Sequence, residues 1–323
     1  MNILLCSAGR RVKIVQYLKE SLNKKGGIVV TADCDSKAPA LYFGDKKELI
    51  PRIDSQDYLN EVIRICKKHN IQGVISLIDP ELETLAKNKE LFDEIGVSLV
   101  LSPFKMVQYC FDKQETYNYL NAINIPAVPT YSELESVLLL LDKQKMDFPL
   151  VVKPGKGSAS IGINIVNNLT DLEYTFSKDD NLIIQPYLKD REYGIDVYID
   201  MISGEMVDIF IKEKLKMRSG ETDKSISIHN KEIEGLIKSF MLKADFAGPI
   251  DIDCFEHNGK YYISEINPRF GGGYPHSQEM GCDFMEYIVH NLEGKINEAY
   301  TSYQYEENIV MMKYDDVVLR KEK

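Results

Sequence analysis

The stretch DIDCFEHNGKYYISEINPRFGGG, residues 251–273, decides how this chain is read. Two runs rich in apolar residues, 250–255 and 260–266, flank His257-Asn258-Gly259, and an Asn-Gly pair between two such runs signals a tight β-hairpin. Side chains two apart on a strand leave from one face, so Asp251 and Asp253 share a face, as do Glu265 and Asn267. Carboxylates and an amide oxygen converging across a hairpin form an oxygen-only donor set, suited to Mg²⁺ at about 2.1 Å and not to zinc. The competing reading is a solvated pair of acidic strands. Against it stands the setting: Glu265 and Asn267 lie among Ile263, Ile266 and Pro268, and Arg269 with three glycines follows at once. An arginine beside such a set is placed to hold transferring phosphoryl oxygens.

A second stretch, VVKPGKGSASIGINIV at 151–166, is glycine-rich but fits neither the phosphate loop G-x-x-x-x-G-K-[ST] nor the dinucleotide pattern G-x-G-x-x-G opening a helix. Residues 162–166 alternate like a strand, so the segment reads as a hairpin with a Gly/Ser tip. Lys153 ends the apolar strand, which brings its ammonium out beside a loop with many exposed N–H groups. Downstream, IIQPYLKDREYGIDVYID at 183–200 gives a strand, a connector holding Gln185, Tyr187 and Leu188, and Glu192 opening another strand. An amide with backbone groups can read an adenine edge and a carboxylate can bind ribose hydroxyls; taken alone, Gln185 reads as a surface linker residue.

Around these segments the chain is ordinary globular protein of 323 residues, long enough for two or three cores. Its net charge of −11 argues against a general nucleic-acid or anionic-membrane binder, both of which need a basic footprint. Six cysteines lie far apart with no C-x-x-C pair, so reduced thiols are the expectation. MNILLCSAGRR lacks the charged and long apolar regions of a leader, and no run approaches the ~18 apolar residues of a membrane span. A soluble, cytoplasmic protein is expected.

The first hundred residues alternate strands (2–6, 28–32, 73–77, 97–101) with helices (10–23, 58–69, 80–92), the βαβα order of a parallel sheet. Ligands of such sheets sit at the carboxyl ends of strands, here near Ser7-Ala-Gly-Arg10 and Asp33-Cys-Asp35. Helices are expected at 112–122, 134–141 and 231–244, and strands at 150–153, 162–166, 182–186, 193–199 and 206–211.

The order of these pieces resembles the ATP-grasp superfamily, and more closely the single-module relatives of the carbamoyl phosphate synthetase large chain. The resemblance covers residues 1–295 and rests on FDKQ (111–114), FPLVVKPGKGSASIG (148–162), IIQPYLKDREYGIDV (183–197), GPIDIDCF (248–255) and EINPRFGGG (265–273). It implies an α/β protein, α+β in its C-terminal part, with an ATP-grasp fold behind a pre-ATP-grasp parallel-sheet domain. The implied units are a Rossmann-like domain at 1–110, a small lid at 111–190 and a catalytic subdomain at 191–323. By the resemblance, Lys113 and Lys153 hold ATP phosphates, and residues 155–162, Gly157 and Ser158 among them, form a flap over them. Gln185 with backbone groups of Tyr187 and Leu188 takes the adenine, and Glu192 the ribose. Glu265, Asn267 and one aspartate bind Mg²⁺, with Mn²⁺ as an alternative. Asp253 is favoured as that aspartate because the family segment GPxNVQ ends in its ligand where GPIDID ends in Asp253; a hairpin of different length shifts the choice to Asp251. Arg269 touches the γ-phosphate and acyl phosphate, and Arg218, in KMRSGETDKS, lies where relatives place substrate or phosphate contacts.

The implied reaction joins a small-molecule carboxylate to an amine through an acyl phosphate, releasing ADP and phosphate, in a protein that uses neither nucleic acid nor membrane and for which a homodimer is allowed. Two alternatives stay open: an ATP-binding protein without ligase activity, and phosphorylation of a small carboxylate as in carbamoyl phosphate synthetase. The single module, the absence of an amidotransferase-like segment and FGGGYPH in place of a Ser-rich continuation tell against carbamoyl phosphate synthesis itself. A dehydrogenase is a distant third, because CSAGRR lacks the glycine fingerprint. Arg10 and Arg11 read equally as anion ligands or a solvated helix start, and His276 equally as a substrate contact or loop packing. His229 and the basic run 212–218 are expected to be partly solvated.

Overall fold

A computed structural model describes residues 1–157 and 162–321. Its first sheet is parallel, built from β1 (Asn2–Cys6), β2 (Ile28–Asp33), β3 (Lys46–Leu49), β4 (Gly73–Ser76) and β5 (Ser98–Leu99) in the order β3-β2-β1-β4-β5. The continuous apolar run of β1 follows from burial on both faces. Ile3 and Leu5 pack with Ile14 and Leu18 of the helix Val12–Asn23 and with Phe284 and Ile288 of the helix Phe284–Leu292. Leu4 and Cys6 face the other way, onto Tyr58, Val62 and Ile65 of the helix Tyr58–Lys68. At Gly73 an added Cβ would lie 2.6 Å from Leu292 Cδ1, so the sheet needs glycine there to admit that late helix. The strand order reverses beside β1, which opens a crevice at the carboxyl ends of β1 and β4.

Several elements differ from expectation. β3 reads KKEL and is largely exposed at the sheet edge, so it carries no apolar signal. The helix expected over 80–92 is divided at Asn88 into Asp79–Lys87 and Lys89–Asp93, and β5 keeps only two residues. The helices Phe104–Phe111, Leu169–Phe176, Tyr274–Glu279 and Phe284–Leu292 were not foreseen.

A small antiparallel sheet follows: β6 (Leu150–Pro154), β7 (Asn164–Val166) and β8 (Leu182–Pro186), in the order β7-β6-β8. Leu150, Val152, Val166 and Ile184 bury one face of it against Val137 of the helix Leu134–Asp142 and Leu172 of Leu169–Phe176. The tip of the β6–β7 hairpin, 158–161 with the expected phosphate contact Ser158, lies outside the described residues.

The third sheet is antiparallel throughout: β9 (Glu192–Ile199), β10 (Met206–Arg218), β11 (Glu221–Ser227), β12 (Gly248–His257), β13 (Lys260–Asn267) and β14 (Val310–Met312), in the order β13-β12-β9-β10-β11-β14. The β12–β13 turn has Asn258 at φ 53° and Gly259 at φ 70°, the two positive values a type I′ turn demands. The basic run 212–218 is not solvated as a whole. It continues β10, and Lys212 is fully buried against Asp196, which also accepts from the Ser277 hydroxyl. Among the described residues no helix is long and apolar enough to cross a membrane.

At the end of β9, Asp200 ties this sheet to the C-terminal helices. Its carboxylate accepts from the backbone N–H of Ile202, Ser203 and Asn297 and from the side-chain amides of Asn291 and Asn297, all at 2.7–3.0 Å. Burial would raise its pKa, but these donors override burial and pull it down to about 2. A carboxylate whose folded pKa is depressed stabilises the fold above its unfolded pKa of about 3.9 and loses that contribution as pH falls. Asp200→Asn is therefore expected to lower the urea midpoint at pH 7 and to flatten its fall between about pH 4 and pH 2.5; parallel slopes for both proteins in that window would refute this account.

Candidate active site

The register of β12 on β13 sets Asp253 opposite Glu265 and Asp251 opposite Asn267, so all four side chains share one face of the hairpin. The hairpin length thus leaves both aspartates on the site face. The Asn267 amide nitrogen donates to Asp251 at 3.3 Å, and its oxygen accepts from Arg269 Nη2 at 3.1 Å. Burial, then the charges of Asp253 and Asp196, push the Asp251 carboxyl up to about 7. Asp253 instead accepts from Lys214 Nζ at 2.5 Å, and the same ammonium reaches Glu192 at 2.8 Å. Burial works against the Lys214 charge, yet Asp253 and Glu192 together hold its pKa well above the usual lysine value. Among the described residues no three His, Cys, Asp or Glu side chains gather as a metal site. The oxygen donors on this face are the carboxylates of Asp251, Asp253 and Glu265 and the amide of Asn267.

Two lysines meet this hairpin from the small sheet side. Lys113 opens the helix Lys113–Ala122, capped by Asp112, whose side chain accepts from Gln114 N and Glu115 N. Its backbone N–H donates to Gly155 O at 3.0 Å, and its buried ammonium donates to Gly157 O at 2.7 Å and stands 3.9 Å from Glu265. Gly157 itself has φ +107°, a conformation other residues adopt only with strain. Lys153 lies near the end of β6, and among the described residues its ammonium has no hydrogen-bond or ion-pair partner. Burial lowers its pKa, opposed first by the charge of Glu265, while Lys113 adds to the lowering.

These groups line a cavity of about 660 Å³ together with Ser7, Arg10, Arg11, Asp79 and Arg269. A neighbouring cavity of about 870 Å³ is lined by Gln185, Tyr187 and Leu188, and Lys153, Ile163, Glu192, Lys214 and Phe255 border both, which makes them one cleft. Gln185 is buried, with its amide donating to Thr130 Oγ1 at 2.8 Å, and is no surface linker. Burial is the largest influence on Glu192 and raises its pKa.

Arg269 crosses between sheets. Its Nη2 donates to Asp79 Oδ2 at 2.7 Å, at the carboxyl end of β4, while Asp79 Oδ1 and Arg269 Nε are buried without hydrogen-bond partners among the described residues. Asp79 and Lys214 escaped the sequence reading. The first reads as an ordinary acidic residue in a helix's first turn, and the second was merged into a basic run; a strand of alternating lysines directly after an apolar core strand was the available signal.

Other expected residues lie elsewhere. The guanidinium of Arg218 is half-exposed and pairs with Asp223 at 3.0 Å and Asp315 at 2.8 Å. A β-bulge in β10 between Lys214 and Met217 shifts the alternation, so Met217 lines the cleft and Arg218 does not. His276 is buried packing, bonded to Ser225 Oγ at 2.8 Å with its ring against Phe210, and burial lowers its pKa to about 4. His229 stacks on Tyr303 at 4.3 Å between centroids and bonds Tyr305 O.

Comparison with known proteins gives this geometry a context. Residues 3–100 match the PylC-like N-terminal domain and residues 110–273, just over half of the chain, match the ATP-grasp domain. Among curated relatives, a carbamoyl-phosphate synthase of Methanobrevibacter smithii is 27% identical over 206 residues, covering 61% of this chain and 52% of that protein. A D-alanine–D-alanine ligase of Thermotoga petrophila is 25% identical over 229 residues, covering 66% and 73%. The chain thus spans about half the length of the first and about three quarters of the second. Among solved structures, the biotin carboxylase domain of Hydrogenobacter thermophilus 2-oxoglutarate carboxylase superposes with a TM-score of 0.75 at 15% identity over 95% of this chain and 73% of that one. The N5-carboxyaminoimidazole synthetase of Staphylococcus aureus complexed with ADP superposes at 0.72 and 17% over 92% and 78%. At such identities the superpositions establish a common fold, and with the domain match they give the conclusion that the chain belongs to the ATP-grasp family.

Proposed function

We propose that the protein is an ATP-dependent ligase that joins a small carboxylate to an amine through an acyl phosphate, releasing ADP and phosphate. The observation that carries this reading is the gathering of Lys113, Lys153, Lys214 and Arg269 around Asp253, Glu265 and Asn267 in one cleft. The names of the relatives, a D-alanine–D-alanine ligase and a carbamoyl-phosphate synthase, support the same chemistry.

In this reading the adenine lies along Gln185, Tyr187 and Leu188, and Glu192 receives the ribose. Lys113 and Lys153 hold the phosphates, with the backbone from Gly155 to Gly162, Ser158 included, closing over them. Lys214 serves beside them, since its ammonium already bridges the ribose and metal ends of the cleft at Glu192 and Asp253. Asp253, Glu265 and Asn267 would hold Mg²⁺, with Mn²⁺ a permitted substitute. Asp253 is taken as the aspartate donor because it stands opposite Glu265 in the register, while Asp251 stands opposite Asn267. The oxygen-only donors fit that ion, which would supply charge neutralisation to the phosphate oxygens when bound. Arg269, anchored by Asp79 and Asn267, presents a fixed guanidinium to the phosphoryl group in transfer. Arg218 has no part in this scheme. Positioning and electrostatics carry the reaction, with no protein nucleophile.

We assign 111–190 as the lid, 1–110 as the wall bearing the substrate loop at Ser7–Arg11, and 191–323 as the catalytic sheet, in a cytoplasmic protein. The test is ADP release on adding ATP, Mg²⁺ and pairs of small carboxylates and amines, with mass detection of the condensed product. ADP formed only when a carboxylate is present supports the ligase. Nucleotide binding without carboxylate-dependent ADP would leave an ATP-binding protein and refute it.

A further inference from the structure

That scheme places the loop Ser7–Arg11 in the wall of the cleft and gives its two arginines no individual role. Glu221, on β11, draws three cations from two distant parts of the chain. Its Oε1 lies 3.3 Å from Arg10 Nη2 and 3.3 Å from Arg11 Nε, and its Oε2 lies 3.2 Å from Lys313 Nζ, just beyond β14. Three cations against one carboxylate leave a local positive surplus in a protein whose net charge is −11. Arg11 and Lys313 are also committed to backbone: Arg11 Nη1 donates to Gly271 O at 3.0 Å and Lys313 Nζ to Gly272 O at 2.6 Å.

The cluster is built and held. Ser7 Oγ donates to buried Glu81 at 2.7 Å, and Glu81 also accepts from Tyr58 and Ser76. Gly9 N donates to Asp33 Oδ2 at 2.7 Å, and Gly9 O accepts from Ala40 N at 3.0 Å. The loop that aims Arg10 and Arg11 is therefore preorganised, which lowers the cost of binding to it. It also stands next to the hairpin of the proposed chemistry. A Cβ at Gly271 would sit 2.3 Å from Asp251 Oδ1 and one at Gly272 would sit 2.8 Å from Glu221 Cγ, so one thickness of glycine backbone separates the two. Burial lowers the Arg11 pKa, and burial with its cationic neighbours lowers that of Lys313, so these cations are held together against their mutual repulsion.

We propose that Arg10 and Arg11, with Lys313 neutralising Glu221 behind them, form a subsite for a second anionic group on the carboxyl substrate, so that the enzyme selects acids bearing an additional carboxylate or phosphate. This rests on the ligase reading above. Arg10 carries the open share of the site: its side chain is 59% exposed, and among the described residues its ion-pair partner is Glu221. Arg10, which meets Glu221 only through Nη2 among the described residues, can turn a planar guanidinium edge to either anion, and Arg11 adds the Nη2 that neither Glu221 nor Gly271 takes.

The test uses the full chain with ATP, Mg²⁺ and hydroxylamine, which traps an acyl phosphate as a hydroxamate. The acids are butyrate and alanine as monoanions, succinate, glutarate, aspartate and glutamate as dicarboxylates, and 3-phosphoglycerate and O-phosphoserine as phosphorylated acids. Expected is a kcat/KM for one dianionic class about 100-fold above the monoanions, and the better class names the anion. In Arg10→Ala/Arg11→Ala that preference collapses through KM, by about 10- to 100-fold, the value of one or two charge-assisted hydrogen bonds. Glu221→Gln, which removes the competing charge, is expected to lower KM for the same acids, a change that misfolding cannot produce. Monoanions used as well as dianions, or a preference unchanged in the double variant, overturns the subsite and leaves the ligase standing. If no acid yields ADP or hydroxamate, the ligase reading fails, and calorimetric titration with succinate and inorganic phosphate decides the subsite. Binding lost in the double variant upholds it; binding absent from the native protein, or kept by the double variant, overturns it.

Discussion

Replacing Glu265 by glutamine is expected to slow ATP-dependent ADP release by about 10³-fold while the protein melts within a few degrees of the native temperature. Glu265 is three-quarters buried, and its one ion pair among the described residues is a loose 3.9 Å approach of Lys113. The fold therefore loses little with its charge. The site loses much: Glu265 faces Asp253 across β12 and β13, so the variant halves the carboxylate charge offered to a metal and its phosphates at that register position. A second readout separates metal loss from general damage. Adding ATP with Mg²⁺ should raise the melting temperature of the native protein and leave that of the variant nearly unchanged, since only a ligand that binds the folded form stabilises it. Turnover retained by Glu265→Gln would remove this residue from the metal site.

The second large effect concerns stability and lies just behind the cleft. Lys212 and Asp196 pair across β10 and β9 with side chains 1% and 2% exposed, and Ser277 donates to the same carboxylate. Removing one partner of a buried ion pair strands the other charge in a place water cannot reach. Lys212→Met is thus expected to destabilise the protein by about 3–5 kcal/mol, visible as a large drop in urea midpoint. Lys212→Met/Asp196→Leu should regain a good part of that loss, because no charge remains buried alone. A double variant less stable than the single one by the full effect of a second independent mutation would show that the two residues are not coupled. The Asp196 backbone lies opposite Asp251 in the β9–β12 register, so this pair also braces the strand that carries the site.

The hairpin at 251–267 shows how far the sequence reaches. Asn258-Gly259 fixes a tight turn, the turn fixes the register, and the period of two then assigns Asp251, Asp253, Glu265 and Asn267 to one face. Each step is local, so each is legible. The same holds for β1, whose apolar run reads as a strand of the parallel sheet. β3 was illegible for the converse reason: an edge strand of charged residues has no apolar period to betray it. Arg218, expected near the substrate from the resemblance alone, follows two register shifts between Lys214 and Met217 that leave no mark in the sequence, and it pairs with Asp223 and Asp315.

Local spacing, turn chemistry and residue type by themselves determined that a hairpin would carry the oxygen donors, that a lysine would end a strand beside a glycine loop, and that a parallel sheet would come first. Only the tertiary structure decided that Lys214 bridges Glu192 and Asp253, that Asp79 reaches across from one sheet to hold Arg269, and that Arg10, Arg11 and Lys313 meet on Glu221. Those pairings join residues between 22 and 190 positions apart for the lysine and arginine bridges. Their partners are chosen by strand order and by which sheet faces which, and burial, which gives such charges their strength, is a property of the packed whole.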